Sequence, residues 1–418
     1  PPRSTLFPYT TLFRSQTVAI DSENKRRSVQ GYGGPFGFVP PRPDGSLGNE
    51  ADRRHVAGLY AGQLVALVVI ASLAPAGAAI QFLVADGNGR ILAQLRPDIE
   101  RVSWRFNGAG QAAWRLARSD EKLREEYLRF GNRVLVQFDN GLPAWGGVIG
   151  GAYEWSEAAV GFLAFSGEAL LGRRLTARTR RFDGETVGAI ALALMAEADA
   201  VWPVGVRPVN IWMGGAAHYP EYHYKALEDV LRESLVENLS AEAFDVSARE
   251  ERGYVVFELN LYEQRGATKS NIALVEDQNV SDVRFRVEDG IVNAWYMAGD
   301  GSDWGDTSRV YAEAVDEESV RLYGRREAFE VRSGVIYQST LDATIQRRLA
   351  ETAYPTRVLA LATTDDRPAR FWEYGVGDTV LCVLPSFDWN GLRGMYRVLG
   401  REFFPEHGGC DLVLEEAR

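Results

Sequence analysis

A chain of 418 residues exceeds one typical core and predicts roughly two to four domains, and its 46% hydrophobic and 25% charged content is globular, not disordered. A net charge of −11 argues against a general grip on nucleic acid, which needs Lys and Arg to displace counterions from phosphate, but does not exclude a protein past which DNA slides without sticking. Two cysteines, Cys382 and Cys410, leave no disulfide framework and no metal cluster, and read as buried free thiols in neighbouring strands.

Residues 5–15 (TLFPYTTLFRS) match the translation of a sequencing adapter, so 1–15 are expected to be an artefact. Residues 16–78 form a loop-rich arm or a fused small reading frame, with Gly31-Tyr32-Gly33-Gly34-Pro35 as breakers and a short helix over 50–60. No charge occurs over 56–85, but Pro75 and Gly77 interrupt the run, which favours a buried segment over a membrane span.

From residue 79 the pattern is β. Runs 80–85 and 90–95 flank the turn Asp86-Gly87-Asn88-Gly89 and predict a hairpin. Strands follow over 102–106, 112–117, 133–138, 146–150, 152–156 and 159–168, with a charged helix over 120–130; alternation puts Phe162, Ala164 and Ser166 on one face. Residues 79–182 are thus expected to form a first β-barrel-like domain.

An α+β region is expected over 183–355. It holds helices over 185–199 and 226–240, then a strand over 254–262 joined to a partner at 272–275. A hairpin is expected from 280–287 and 291–297, then two strands within 299–338 and a helix over 340–353 that ends before Pro355. Residues 356–418 return to β and form the second β-barrel-like domain. The fold class is therefore α+β, β-rich, with two related barrel-like domains bracketing an α+β region.

That relation rests on an internal echo. Gly131-Asn132-Arg133-Val134-Leu135-Val136-Gln137-Phe138 matches Gly377-Asp378-Thr379-Val380-Leu381-Cys382-Val383-Leu384. Gly141-Leu142 then leads to Val148-Ile149-Gly150, as Gly391-Leu392 leads to Val398-Leu399-Gly400. Between the runs lie Trp145 and Trp389, which read as loop residues and are the assembly-interface candidates. A repeat separated by most of the chain implies two modules, not a solenoid.

Catalytic signals are weak. No Walker loop, GxSxG elbow, HExxH or CxxC occurs. The cluster His218/His223 lacks a third ligand for zinc, and Asp300, Asp303 and Asp306 lack the terminal bidentate Glu of a calcium loop. Glu317-Glu318 and Glu415-Glu416 belong to solvated charge runs. No catalytic residue, cofactor or metal is expected.

The run Ile99-Glu100-Arg101-Val102-Ser103-Trp104-Arg105-Phe106-Asn107-Gly108 and then residues 130–138 resemble the opening of siphophage minor tail proteins of the baseplate-hub type. Residues 374–380 and 395–400 resemble the closing barrel of that family, and the helix over 224–239 followed by the strand over 254–262 is similar in order. The resemblance spans 79–418. It implies a two-barrel hub that assembles as a homotrimer at the virion tail tip, made in the cytoplasm of a bacterial host. Its implied partners are a distal tail protein, a tape-measure protein and tail fibre or receptor-binding proteins. Genomic DNA would pass through without specific binding. The chain stops after its last strand, so no lytic activity is carried over. The alternatives are a tail-associated cell-wall hydrolase and a membrane-anchored binding module.

Overall fold

The computed structural model describes residues 80–215, 219–232, 243–301, 309–332, 335 and 337–417. The adapter match, the arm, the helix over 50–60 and most of the apolar run over 56–85 lie outside the described residues. Among the described residues no helix is long and apolar enough to cross a membrane. The fold is a β-rich α+β arrangement built mainly on one large sheet.

The first module contains β1 (Ile80–Ala85), β2 (Ile91–Leu95), β3 (Asp98–Arg105), β4 (Gln111–Ala117), helix α1 (Glu125–Leu128), β5 (Arg133–Phe138), β6 (Trp145–Ile149), β7 (Glu154–Trp155) and β8 (Ala159–Ser166). The predicted first hairpin forms: the Asp86 carboxylate accepts the N–H groups of Asn88 and Arg90, and Phe82 lies opposite Leu95. Residues Val160, Phe162, Ala164 and Ser166 of β8 point inward, as the period of two requires. The charged helix expected over 120–130 shrinks to one turn. Asp120 accepts the N–H of Lys122 at 2.8 Å, a local turn that competes with helix.

A first insert follows: α2 (Glu168–Leu171), β9 (Arg180–Arg181), α3 (Val187–Val201), β10 (Val206–Ile211), β11 (Glu221–Tyr222), α4 (Leu227–Asp229), β12 (Ala243–Glu251) and β13 (Tyr254–Tyr262). The Thr186 hydroxyl caps α3, and β10, β13 and β12 make a small sheet. Helix α3 contributes Ile190, Leu194 and Met195 to a core shared with Phe257 and Leu259 of the sheet and with Leu83, Leu135 and Val148 of the first module. Strand β5 is therefore buried on both faces along Arg133–Val136. Main-chain bonds pin the two parts together: Val255 N–H donates to Gly89 O at 2.7 Å and Ile91 N–H to Gly253 O at 2.9 Å. Arg133 reinforces this joint through Gly87 O and Val255 O, and burial pushes its guanidinium below its ordinary value. The later part of the helix expected over 226–240 lies outside the described residues.

The second module comprises β14 (Thr268–Val275) and β15 (Val280–Glu288), then, beyond a second insert, β19 (Thr356–Thr364), β20 (Thr379–Leu384), β21 (Leu392–Phe404) and β22 (Gly409–Glu416). That insert holds β16 (Ala294–Ala298), β17 (Tyr311–Val315), helix α5 (Glu317–Tyr323), β18 (Glu327–Val331) and helix α6 (Gln338–Thr352). It has its own core, where Leu341, Ile345 and Leu349 of α6 cover Met297 and Ala314.

Two expectations are corrected by these pairings. The partner of β13 is not the strand over 272–275, because β13 is already flanked by β10 and β12 while β14 pairs with β20. Residues 280–287 and 291–297 do not form a hairpin: β15 pairs with β19, and β16 with β17 and β18. Strands β14 and β15, within 183–355, thus pair with strands of 356–418. The last β15–β19 pair is Glu288 opposite Thr356, so the chain leaves one hairpin end, builds an insert and returns to the same end.

The duplication is visible in the strand order. The first module runs β3-β4-β8-β6-β5-β1 and the second β15-β19-β22-β21-β20-β14, the same sequence of chain ranks. One difference is that β1 lies antiparallel to β5, whereas β14 is parallel to β20. The echo itself adopts one local geometry in both copies. Gly131 and Gly377 have φ of +91° and +97°, and Gly141 and Gly391 have +80° and +79°, left-handed values that favour glycine. Gly131 N–H donates to Ile149 O and Ile149 N–H to Asn132 O; Gly377 N–H donates to Val398 O and Val398 N–H to Asp378 O. Ile149, not Val148, is therefore the counterpart of Val398.

The modules join edge to edge. Residues 400–403 of β21 pair with 102–105 of β3, and Phe138 meets Phe403 with ring centroids 5.6 Å apart.

Candidate assembly surfaces

The two candidate tryptophans occupy opposite environments. Trp145 opens β6 instead of standing in a loop, is 1% exposed, and packs among the core residues Phe82, Trp114 and Ile149. Its indole N–H donates to Ser103 O at 2.9 Å, so the ring's one polar atom is satisfied inside. A side chain so placed cannot present itself to a partner, and its nomination as an interface residue is corrected. Trp389 is 97% exposed. Its backbone is held: Asp388, at φ +63°, accepts the Trp389 N–H at 2.8 Å and lies 3.5 Å from Arg357, while Ser386 N–H donates to Glu276 at 2.9 Å. The indole therefore stands on an anchored turn.

Counting back from the paired glycines, Trp389 matches Asp139 and not Trp145. The matching turn in the first module lies against the second through Leu142, while Asp139 and Gly141 are exposed; the counterpart of Leu142, Leu392, is buried in its own module. Leu142 enters the second module's core, and Gly141 lies so close to Trp372 that a Cβ there would stand 2.8 Å from the Trp372 Cβ. Asn140 accepts the Leu142 N–H at 3.2 Å and holds the tip. Sequence reasoning missed Leu142, although the repeated Gly-Leu pair marked its position.

The receiving segment, 365–376 between β19 and β20, corresponds to 118–130 between β4 and β5. At that end of the first module lies an open cavity of ≈ 600 Å³ lined by Leu92, Glu126, Tyr127 and Phe130 under the Asp86-Gly87 turn. Phe130 is 55% exposed and stacks on Tyr153 with centroids 4.3 Å apart. The same flank carries an open edge. Residues 154–155 pair with β8 as 402–403 pair with β22, yet Trp155 is 66% exposed. At the far end of the large sheet, β15 pairs with β19 alone, and Val287 is half exposed.

The solvent face of the β10-β13-β12 sheet is a compensated charge ladder: Arg207 and Arg249 both bond Glu258 and Glu251. Those partners hold the Glu258 carboxyl below its ordinary range. Glu168 is a buried carboxyl, whose Oε1 accepts the Val246 N–H at 3.0 Å and whose Oε2 lies 2.5 Å from the Ser166 hydroxyl. Burial pushes its carboxyl up to about 7 against those hydrogen bonds.

Cys382 and Cys410 are buried in β20 and β22, which flank β21 on either side, and burial pushes the Cys382 thiol up to about 12. His223 lies 3.5 Å from Glu221, while His218, Asp303 and Asp306 lie outside the described residues. Among the described residues no group of three or more His, Cys, Asp or Glu is placed to hold a metal ion.

No family profile matches the chain, and no curated protein matches its sequence. Solved structures do. Prophage tail protein gp18 from Listeria monocytogenes EGD-e is similar with TM-score 0.52 and 14% identity, over 81% of this chain and 94% of that one. The 43 kDa tail protein of prophage MuSo2 from Shewanella oneidensis gives 0.54 and 14%, over 81% and 98%. A tail protein from Neisseria meningitidis MC58 gives 0.53 and 15%, over 81% and 97%. With nearly the full length of each of those proteins matched, this chain has the fold of prophage tail proteins.

Proposed function

We propose that the chain is a structural, non-catalytic component of a phage tail, of the siphovirus baseplate-hub type, at the tail tip. The observation that carries this reading is the duplicated module, one strand order used twice, in a chain with the fold of prophage tail proteins. Two similar modules per chain let a homotrimer offer six similar faces, which suits a junction between a sixfold tube and threefold distal parts. The partners on this reading are a distal tail protein, a tape-measure protein and fibre or receptor-binding proteins. Genomic DNA would pass through the ring, and a net charge of −11 disfavours its adhesion.

The test is immunogold labelling of virions with antibodies against residues 80–417. Gold confined to the distal end of the tail is expected. Gold on the capsid, or virions lacking the chain, would overturn the reading. A hydrolase, by contrast, would make the purified chain clear peptidoglycan.

A further inference from the structure

The open cavity between the Asp86-Gly87 turn and helix α1 has the dimensions and the lining of a small-molecule site. Its volume of ≈ 600 Å³ falls within the range of about 300–1,000 Å³ usual for ligand pockets. Its wall is held in place by the protein itself. The buried Asn132 amide donates to Glu126 O at 2.9 Å and to Tyr127 O at 3.0 Å, and the Tyr153 hydroxyl donates to Leu128 O. The carbonyls of α1 are thus pinned from two sides, so little order has to be gained on binding. Tyr153 also backs Phe130. Their rings stack with centroids 4.3 Å apart, and Phe130, more than half exposed, keeps its other ring face toward solvent.

The polar groups of the lining narrow the chemistry. Asp86 and Glu126 are carboxylates, which only accept hydrogen bonds, whereas the Arg129 guanidinium only donates them. Asp86 Oδ1 is already engaged by the N–H groups of Asn88 and Arg90, and Glu126 lies 3.7 Å from Arg124. Arg129 is exposed and makes no ion pair among the described residues. Charges of both signs on one lining oppose a simple anion and a simple cation alike, and they oppose a wholly apolar ligand because it would leave them unpaired. Hydroxyl groups both donate and accept, so they satisfy both kinds of partner at once. A pyranose ring carries hydroxyls around its rim and an apolar C–H face, which matches the open ring face of Phe130 with Tyr127 beside it.

We infer that this cavity binds an uncharged pyranose of a glycan, with the sugar's C–H face on Phe130 and its hydroxyls between Arg129 and the Asp86 and Glu126 carboxylates. The stacked ring supplies the apolar contact, and the charged side chains, bonding to hydroxyls around the rim, fix which sugar fits and how it is turned. The site does not depend on the chain's place in a tail.

The test titrates the full chain with maltose, lactose and N,N′-diacetylchitobiose, which between them present glucose, galactose and N-acetylglucosamine rings. Saturation-transfer NMR on the sugar reads weak binding and shows which face of the ring is in contact. At least one disaccharide is expected to bind through a C–H face. Phe130→Ala should weaken it at least about tenfold, Arg129→Ala should weaken it measurably, and Phe130→Tyr should keep it. Phe130 and Arg129 are both exposed, so each variant should keep its circular dichroism and melting profile. Trp389→Ala removes an exposed ring elsewhere and should change nothing. Binding of none of the three sugars would overturn the inference. So would binding lost with Trp389→Ala and kept with Phe130→Ala, or displacement of the sugar by inorganic phosphate, which would mark an anion site. Each of these outcomes leaves the tail reading to be decided by labelling.

Discussion

Glu168 is a carboxyl group placed where the fold prefers it neutral. It is wholly buried between the end of β8 and the start of β12, facing the Ser166 hydroxyl, the Val246 N–H and, farther off, the Asp245 carboxylate. Ser166 in turn accepts the Gly110 N–H at 2.8 Å. The hydrogen bonds favour the charged form, but desolvation outweighs them and raises the group from 4.5 to about 7. A raised carboxyl binds more protons folded than unfolded, so stability falls as pH rises from about 4.5 and is fully reduced above about 7. Glu168→Gln should therefore stabilise the protein at pH 8 by on the order of 2 kcal/mol, with little effect at pH 4. Thermal melts at both pH values check this; a difference independent of pH would place the effect elsewhere than in the charge.

At the scale of elements, the second insert replaces a hairpin turn. In the first module the chain passes from β3 to β4 within 106–110, whereas in the second it passes from β15 to β19 through 289–355. Since Glu288 still lies opposite Thr356, a short Asn-Gly turn in place of 289–355 should close the strand pair directly. The shortened chain is expected to keep its β spectrum and one cooperative melt, and loss of that melt would show that the insert supports the module. The turn 139–142 makes a sharper test of the joint between modules. Leu142→Ala removes a buried side chain from the second module's core and should cost about 2–4 kcal/mol in denaturant unfolding.

Across the whole molecule, the large sheet runs from β2 in one module to β15 in the other without a break, because residues 400–403 bridge them. An open strand edge remains at the end of that sheet, where β15 pairs with β19 alone. Because one sheet carries both modules, tryptophan fluorescence and far-UV circular dichroism should report one coincident unfolding transition; two separated transitions would show that the 400–403 pairing does not couple the modules.

Much of the architecture was legible from local pattern. The echo, the turn at residues 86–89, the alternation in β8, the strand at Tyr254–Tyr262 and the helix ending before Pro355 each follow from glycine conformation or hydrophobic period, which act over a few residues. Pairing across long loops was not legible. β15 finds β19 past the second insert, and β13 ignores the next strand along the chain, because a strand's partner is chosen by the core it helps to close. The tryptophans divide on the same line. Composition alone could not tell Trp145 from Trp389, since one ring is buried by strands distant in sequence and the other is lifted clear by a turn. Sequence by itself determined that a module was used twice. Only the tertiary structure decided that Leu142 crosses into the other module's core while Leu392 stays in its own, because burial depends on what the rest of the chain brings alongside.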